Sequence, residues 1–479
     1  IFVCAPAAFA QPDPDAEEPP AQTEPAPAPP EQPKRPDWGV SPDDLDTVSP
    51  WEGKPSKGYE KWGDAEETVS PWADDPVPPE PSAPAGVDAR IDVRLGDTRV
   101  RRQLPPLVRG GIYDRPYLMR IGTDATAVAI GGYLDFLGAY RREEGVSDGF
   151  SFEARRFSIF LTSRIADRVR LTSELELSHG TEDIRLAAAL ADILFHPAFN
   201  FRAGVLLPPI GRFNITHDAP LYDVVDRPLV STEIIPATAS EPGAGLFGAF
   251  YPGGGNRLTY EIYVTSGLRD GVIAADGTRI PEGRSPEIFS ADNNGSPAVV
   301  GRIAYQSPEE RFVRAVLGVS TYAGVYNTFE IEGDELDVPR WLRIMAIDAD
   351  VEAGPLRIRG EMAYANVDVP QSLTSIHGRN QVGAYVDGTI TFFDRRMWIF
   401  ERTSLAAVTR VDYVDLNLDN REVTGEPMGD EHTRLSAGLS WRPGPGTAFR
   451  VIYHHDWMTD DLNNPTRAAG VQLGLATYF

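Results

Sequence analysis

Beyond Lys61 this 479-residue chain has no lysine, and it has one cysteine, Cys4. A single thiol closes no intrachain disulfide, so neither an oxidising nor a reducing compartment is demanded. No run of about eighteen apolar residues occurs, because the longest candidate, Leu186 to Phe195, is short and contains Asp192. Helical membrane spans are therefore excluded, whereas a membrane protein built of strands is untouched by that test. Positive charge is also scarce: 45 basic residues face 70 acidic ones, a net of -25, which argues against a nucleic-acid partner. The seven histidines are scattered, with neither H-E-x-x-H nor Cys/His metal spacing, so no metal and no cofactor is expected.

The chain divides by composition. Residues 1–10 (IFVCAPAAFA) read as the remnant of a signal peptide, with Ala8-Phe9-Ala10 in the A-x-A pattern. Residues 11–90 hold 19 of the 42 prolines and 19 acidic against 6 basic residues, including all four lysines. Such a segment buries too little apolar area to offset the entropy of ordering, so a disordered periplasmic tail is expected. Within it TVSPW occurs twice, ending at Trp51 and Trp72, which fits either a short motif docking a periplasmic partner or drift in an unconstrained tail. A basic approach segment, 91–121, leads into residues 122–479.

From there the sequence alternates to its last residue. Arg168 to Leu177 (RVRLTSELEL) puts Val169, Leu171, Leu175 and Leu177 on one face and Arg168, Arg170, Glu174 and Glu176 on the other, the period of a strand. About sixteen such strands are expected, an even number suited to a bacterial outer-membrane barrel. Short turns rich in Pro, Gly and Asp alternate with long polar loops, and Asp394 to Arg396 reads as one of the short turns. Alternation alone does not separate a soluble sandwich from a barrel whose apolar face meets lipid and whose charged face lines a water-filled interior. Three features favour the barrel. Aromatics recur near strand ends, among them Tyr133, Phe195, Phe199, Tyr251, Trp341, Trp398 and Trp457. Closure leaves no exposed edge across so many strands. The chain also ends in an alternating strand on Phe479, which resembles the signal read by the outer-membrane assembly machinery. The expected fold class is thus all-β, a transmembrane antiparallel barrel.

One excursion breaks the rhythm. Between the strands at Ala198 to Leu207 and Gly245 to Tyr251, residues 208–243 show no sustained period and carry Arg212, His217, Asp218, Asp223, Asp226, Arg227 and Glu233 among prolines. A loop that long inside an ordered domain is usually functional. Folded inward it sets the bore of a pore, and these seven residues form the expected constriction. Folded outward it is an ordinary surface lid.

The block from Gly131 to Gly248 resembles the phosphate-selective porin O and P family. The resemblance rests on IGGYLDF, on FEARRFSIFLTSRIADRVRLTSELEL, and on AFNFRAGVLLPPIGRFN followed by YDVVDRPLVSTEIIP and GAGLFGAFY. It implies a sixteen-stranded, homotrimeric pore for small anions, phosphate among them. The chain departs from the family in having no lysine in its barrel and in reading Glu241-Pro242-Gly243-Ala244-Gly245 before the returning strand.

By alternation the inward arginines include Arg156, Arg168, Arg170, Arg185, Arg202, Arg314, Arg357, Arg359, Arg434 and Arg450. Rows of guanidinium groups favour anions, although arginine and acid paired across strands merely brace a wall. The expected function is an outer-membrane porin with mild anion preference, surrounded by lipid and lipopolysaccharide. Two rivals stand beside it. One is an anchoring protein whose tail is the working part. The other is a barrel hydrolase, for which His454 and Asp456 face the same way but lack a nucleophile motif.

Overall fold

The computed structural model describes residues 111–115, 118–121 and 128–479, apart from 148, 167, 290, 291, 310, 332, 333 and 421–424. The signal remnant, the tail with Trp51 and Trp72, and most of the approach segment lie outside the described residues. No described helix is long and apolar enough to cross a membrane.

Sixteen antiparallel strands form the wall. The first eight are β1 (Val128–Glu143), β2 (Phe150–Ala166), β3 (Val169–Ser178), β4 (Asp183–His196), β5 (Phe199–Leu206), β6 (Glu241–Gly253), β7 (Asn256–Thr265) and β8 (Ala298–Gln306). The second eight are β9 (Val313–Val325), β10 (Trp341–Ala353), β11 (Leu356–Val367), β12 (Asn380–Met397), β13 (Phe400–Asp415), β14 (Glu431–Gly444), β15 (Thr447–Thr459) and β16 (Pro465–Tyr478). Each strand pairs with the next, and β16 returns to β1 in a register running from Tyr133 opposite Tyr478 to Glu143 opposite Ala468. The sheet is a closed barrel, so every strand has two neighbours and no edge is left open. A three-residue strand, Met119–Ile121, pairs with the start of β1.

Burial follows the alternation. In β8 the side chains of Val299, Ile303 and Tyr305 are exposed outward while Val300, Arg302, Ala304 and Gln306 are buried inward. The seam is close-packed at its end. Phe479 and Gly132 exchange backbone hydrogen bonds of 3.0 and 3.1 Å, and the Phe479 ring stacks on Phe157 with centroids 5.2 Å apart. Gly132 permits this approach, since a β-carbon there would meet the Phe479 ring.

Three sequence expectations need correction. Asp394 to Arg396 is not a turn: β12 runs on to Met397, with Asp394 opposite Ser404 and Arg395 opposite Thr403, and the reversal falls at Trp398-Ile399. Polar residues at a strand end mark water rather than a break in pairing, so composition mislocated the turn. Tyr133 does not belong to an outer girdle, because it is buried inside against Phe160 and Tyr478. The returning strand also begins earlier, at Glu241, with Val205 opposite Pro242; Pro is tolerated at such a strand start.

Connections at one end of the barrel are brief, such as 197–198 and 354–355, and the barrel's own termini lie at that end. The other end carries the long connections 207–240, 266–297, 326–340, 368–379 and 416–430.

Candidate functional site

The 207–240 connection is almost wholly buried and packs on the inner face of the wall. Apolar side chains drive this: Leu207, Ile210, Ile215, Val230, Ile234 and Ile235 join inward residues such as Leu342, Ile344 and Ala363 in one cluster. Its backbone, being irregular, needs partners for groups that a strand would have paired, and inward-facing side chains supply them.

At Gly211, where φ is +64°, the N–H donates to Ser320 Oγ at 2.7 Å. The next two N–H groups, of Arg212 and Phe213, both donate to Glu361 Oε2 at 2.7 and 3.0 Å. The Arg212 side chain reaches Asp350, 2.6 Å away. Further on, Leu229 N–H donates to Asp412 at 3.0 Å, just before a single α-helical turn, α1 (Val230–Glu233).

His217 and Asp218 meet a residue from ahead of the barrel. The lead segment Gly111 to Arg115 lies against the connection, with Ile112 N–H donating to Ile215 O at 3.2 Å. Arg115 forms ion pairs with both Glu174 and Asp218 and sits over the Phe160 ring at 3.4 Å. Tyr478 OH donates to Asp218 Oδ2 at 3.0 Å. Burial disfavours charge on His217, yet Glu174, 3.4 Å from Nε2, holds its pKa above the ordinary histidine value. Glu174, His217 and Asp218 bring three metal-capable donor atoms within 4.8 Å of one another, and the single positive charge of Arg115 is shared between the two carboxylates.

Asp223 and Asp226 are ion-pair hubs. Asp223 accepts from Arg442 and Ser440 on β14 and from Arg359 on β11. Asp226 accepts from Arg155 at 2.7 Å, Gln472 at 2.6 Å and Arg434 at 3.4 Å. Burial opposes ionisation of both, but Arg442 and Arg359 beside the first, and Arg155 and Arg434 beside the second, hold them well below the usual carboxylate range. Arg450 donates to the carbonyls of Ala219, Tyr222 and Val224 at 3.3 to 3.4 Å.

Arg227 and Glu233 open onto a cleft of about 500 Å³ at the long-loop end, between the wall of β2 to β4 and residues 226–237 of the connection. Arg156, Arg185 and Arg434 line it too. Arg227 lies 3.8 Å from Glu176; burial, with Arg156 nearby, draws its pKa down to about 10.

The other expected inward arginines are largely engaged with partners. Arg202 pairs with Asp192 at 2.6 Å and stacks on Tyr113 and Phe247. Arg357 pairs with Asp350 at 2.7 Å, Arg314 pairs with Glu352, and Arg185 pairs with Asp183. Arg168 caps the carbonyls of Leu194 and Phe195, and Arg170 lies half-buried on β3. Sequence reasoning missed Arg410, which pairs with Asp387 and donates to Asp226 O at 2.7 Å; its place two residues before Asp412 in β13 was the available signal. Arg115 and Arg284 carried no such signal, since neither lies in an alternating run. His454 and His432 both hydrogen-bond Asp456, at 2.8 and 2.7 Å.

No family model matches the sequence. An uncharacterized protein of Aquifex aeolicus (strain VF5) is 29% identical over 377 residues, which is 72% of this chain and 79% of that protein. Among solved structures, the anion-selective porin of Comamonas acidovorans aligns with 74% of this chain and 100% of its own, at 12% identity and a TM-score of 0.46. The outer membrane channel DcaP of Acinetobacter baumannii aligns with 75% of this chain and 99% of its own, at 14% identity and a TM-score of 0.46. OmpF of Salmonella typhi, in complex with daunomycin, aligns with 75% and 100%, at 10% identity and a TM-score of 0.47.

Proposed function

We propose that this protein is an outer-membrane porin, a barrel that admits small hydrophilic solutes with a mild preference for anions, inorganic phosphate included, and that residues 208–243 narrow its bore. The observation that carries the reading is the opposition of the two faces of one closed wall. Outward positions such as Ile303, Val319, Ile347 and Val386 are apolar and more than half exposed, whereas inward positions are charged and meet a long connection from inside. In water the outer face is an uncovered apolar belt, which soluble monomers avoid; in a bilayer it is the face that lipid requires. Arg212, His217, Asp218, Asp223, Asp226, Arg227 and Glu233 then belong to the constriction, with Arg156, Arg185 and Arg434 along the approach. A homotrimer, contacts with lipopolysaccharide, and recognition of Phe479 by the assembly machinery complete the reading.

Single-channel conductance of refolded protein, with reversal potential in a salt gradient, tests it. Stable ohmic steps with an anion-directed reversal are expected, and a silent barrel overturns it.

One observation bears on the rival reading, in which the barrel anchors a working tail. Arg410 on β13 and Arg450 on β15 are each only 1% exposed on their side chains, so water scarcely reaches the inner wall there. Removing residues 11–90 separates the two, because conductance survives the deletion only if the barrel is the functional unit. The hydrolase reading finds no support at this pair: His454 and His432 each use one ring nitrogen on Asp456, and among the described residues neither ring hydrogen-bonds a hydroxyl or thiol that could serve as nucleophile.

A further inference from the structure

The cleft at the long-loop end holds charge of both signs that its own walls pair only in part. Arg227 and Arg284 converge on one acceptor, the carbonyl of Ala237, with Nη1 atoms at 3.4 and 3.3 Å. Arg284 otherwise donates to the Pro281 carbonyl at 3.2 Å, and the Nε and Nη2 of Arg227 have no hydrogen-bond partner among the described residues. The two guanidinium groups are close enough for one carboxylate to touch both, and guanidinium donors match carboxylate oxygens bidentately. Glu233, which lines the same cleft from the connection that carries Arg227, accepts a hydrogen bond from Thr232 at 3.3 Å and has no cation within ion-pair distance among the described residues. The other charged residues of the cleft have partners: Arg155 pairs with Asp226, Arg185 with Asp183 and His179 with Glu153, Arg156, Arg434 and His432 pair with acids on the wall, and Glu176 lies 3.8 Å from Arg227. What is left is two arginines that share one carbonyl, of which Arg284 has no acid within ion-pair distance among the described residues, and in the same cleft a carboxylate with no cation of its own.

We propose that this cleft binds a small amphoteric solute, its carboxylate between Arg227 and Arg284 and its ammonium group on Glu233, the chemistry of a free amino acid or short peptide. A plain anion site would gather an excess of positive charge, whereas six arginines here face five carboxylates. The proposal rests on the porin reading only for the solute's route into the barrel, since binding itself needs no conduction.

The test is equilibrium binding by calorimetry on refolded full-length protein, with alanyl-alanine, N-acetyl-alanyl-alanine and inorganic phosphate as probes. Alanyl-alanine is expected to bind saturably, and acetylation of its amine to weaken binding at least about fivefold. Glu233→Gln should abolish that discrimination, and Arg284→Gln should weaken both peptides at least about tenfold. Arg141→Gln, which alters an exposed pair with Glu143 outside the cleft, controls for folding and should change neither. Equal binding of free and acetylated peptide, binding of phosphate alone, or indifference to both cleft variants overturns the proposal. Conductance measured on the same preparations keeps the two readings apart: a silent barrel that still discriminates the peptides retains the site, and a conducting one that does not retains only the porin.

Discussion

Arg442 donates through both Nε and Nη2 to a single oxygen of Asp223, Oδ1, at 3.0 and 2.8 Å. The contact joins β14 to the connection that follows β5. A third donor, Ser440 Oγ, reaches the same oxygen at 2.9 Å. Asp223→Ala removes the shared acceptor and leaves Arg442 and Arg359 without their carboxylate, a loss on the order of 3–5 kcal/mol for a buried pair broken on one side. The expected outcomes are a lower unfolding midpoint in detergent and larger or noisier conductance steps, as residues 219–226 come away from the wall.

His217 makes stability depend on pH. Its Nδ1 faces the carbonyl of Asn214 at 2.9 Å and its Nε2 faces Glu174, so both nitrogens meet acceptors and the doubly protonated ring satisfies both. Burial disfavours that charge, and Glu174 outweighs it, raising the pKa above its ordinary value. A group whose folded pKa is raised contributes fully below its unfolded value, about 6.5 for histidine, and loses that contribution as pH rises through the folded value. The melting temperature should therefore fall as pH climbs from about 6.5 into the alkaline range, and His217→Gln should flatten this part of the profile.

Arg115 belongs to the lead segment rather than the wall, yet it forms ion pairs with two buried carboxylates, Glu174 and Asp218. Arg115→Ala should cost on the order of 3–5 kcal/mol, as expected when one partner of a buried ion pair is removed. Arg115→Lys should recover only part, because an ammonium group lacks the planar fork that reaches both acids. Denaturant titration of the three proteins side by side measures the difference.

Ile303 separates a barrel in lipid from one in water. It lies at the middle of β8, faces outward and is 58% exposed. In a bilayer Ile303→Arg costs about 2–4 kcal/mol near the midplane, whereas in water it relieves an exposed apolar belt. Reduced folding yield into lipid vesicles is expected; unchanged yield with improved solubility in the absence of detergent would count against the membrane reading.

Alternation made the wall legible because each strand writes its own pattern locally. Val299, Ile303 and Tyr305 face out, and Arg302 and Gln306 face in, as period two dictates. The 207–240 connection was equally visible, since more than thirty residues without a period stand out against such a background. Its partners were not visible. Glu361 holds the N–H groups of Arg212 and Phe213 from across the barrel, and nothing in the local sequence of either element announces the other. The turn at Trp398-Ile399 was read at Asp394 to Arg396 for the opposite reason, because local composition there spoke for a break while pairing with β13 continued past it. The cleft was half legible: Arg227 and Glu233 stood out as charges in an irregular stretch, but Arg284 comes from a different connection.

The seam between β1 and β16 also fixes an order of events. Gly132 and Phe479 pair across that seam, so the cylinder closes only when the first and sixteenth strands meet, and until then the wall is an open sheet. The connection after β5 has partners on β13, β14, β15 and β16, and a stretch so thoroughly enclosed is hard to thread through a finished cylinder. It is better placed while the sheet is open, as a mandrel around which the later strands wrap, so that weakening its inner contacts would slow barrel completion as well as loosen the finished protein.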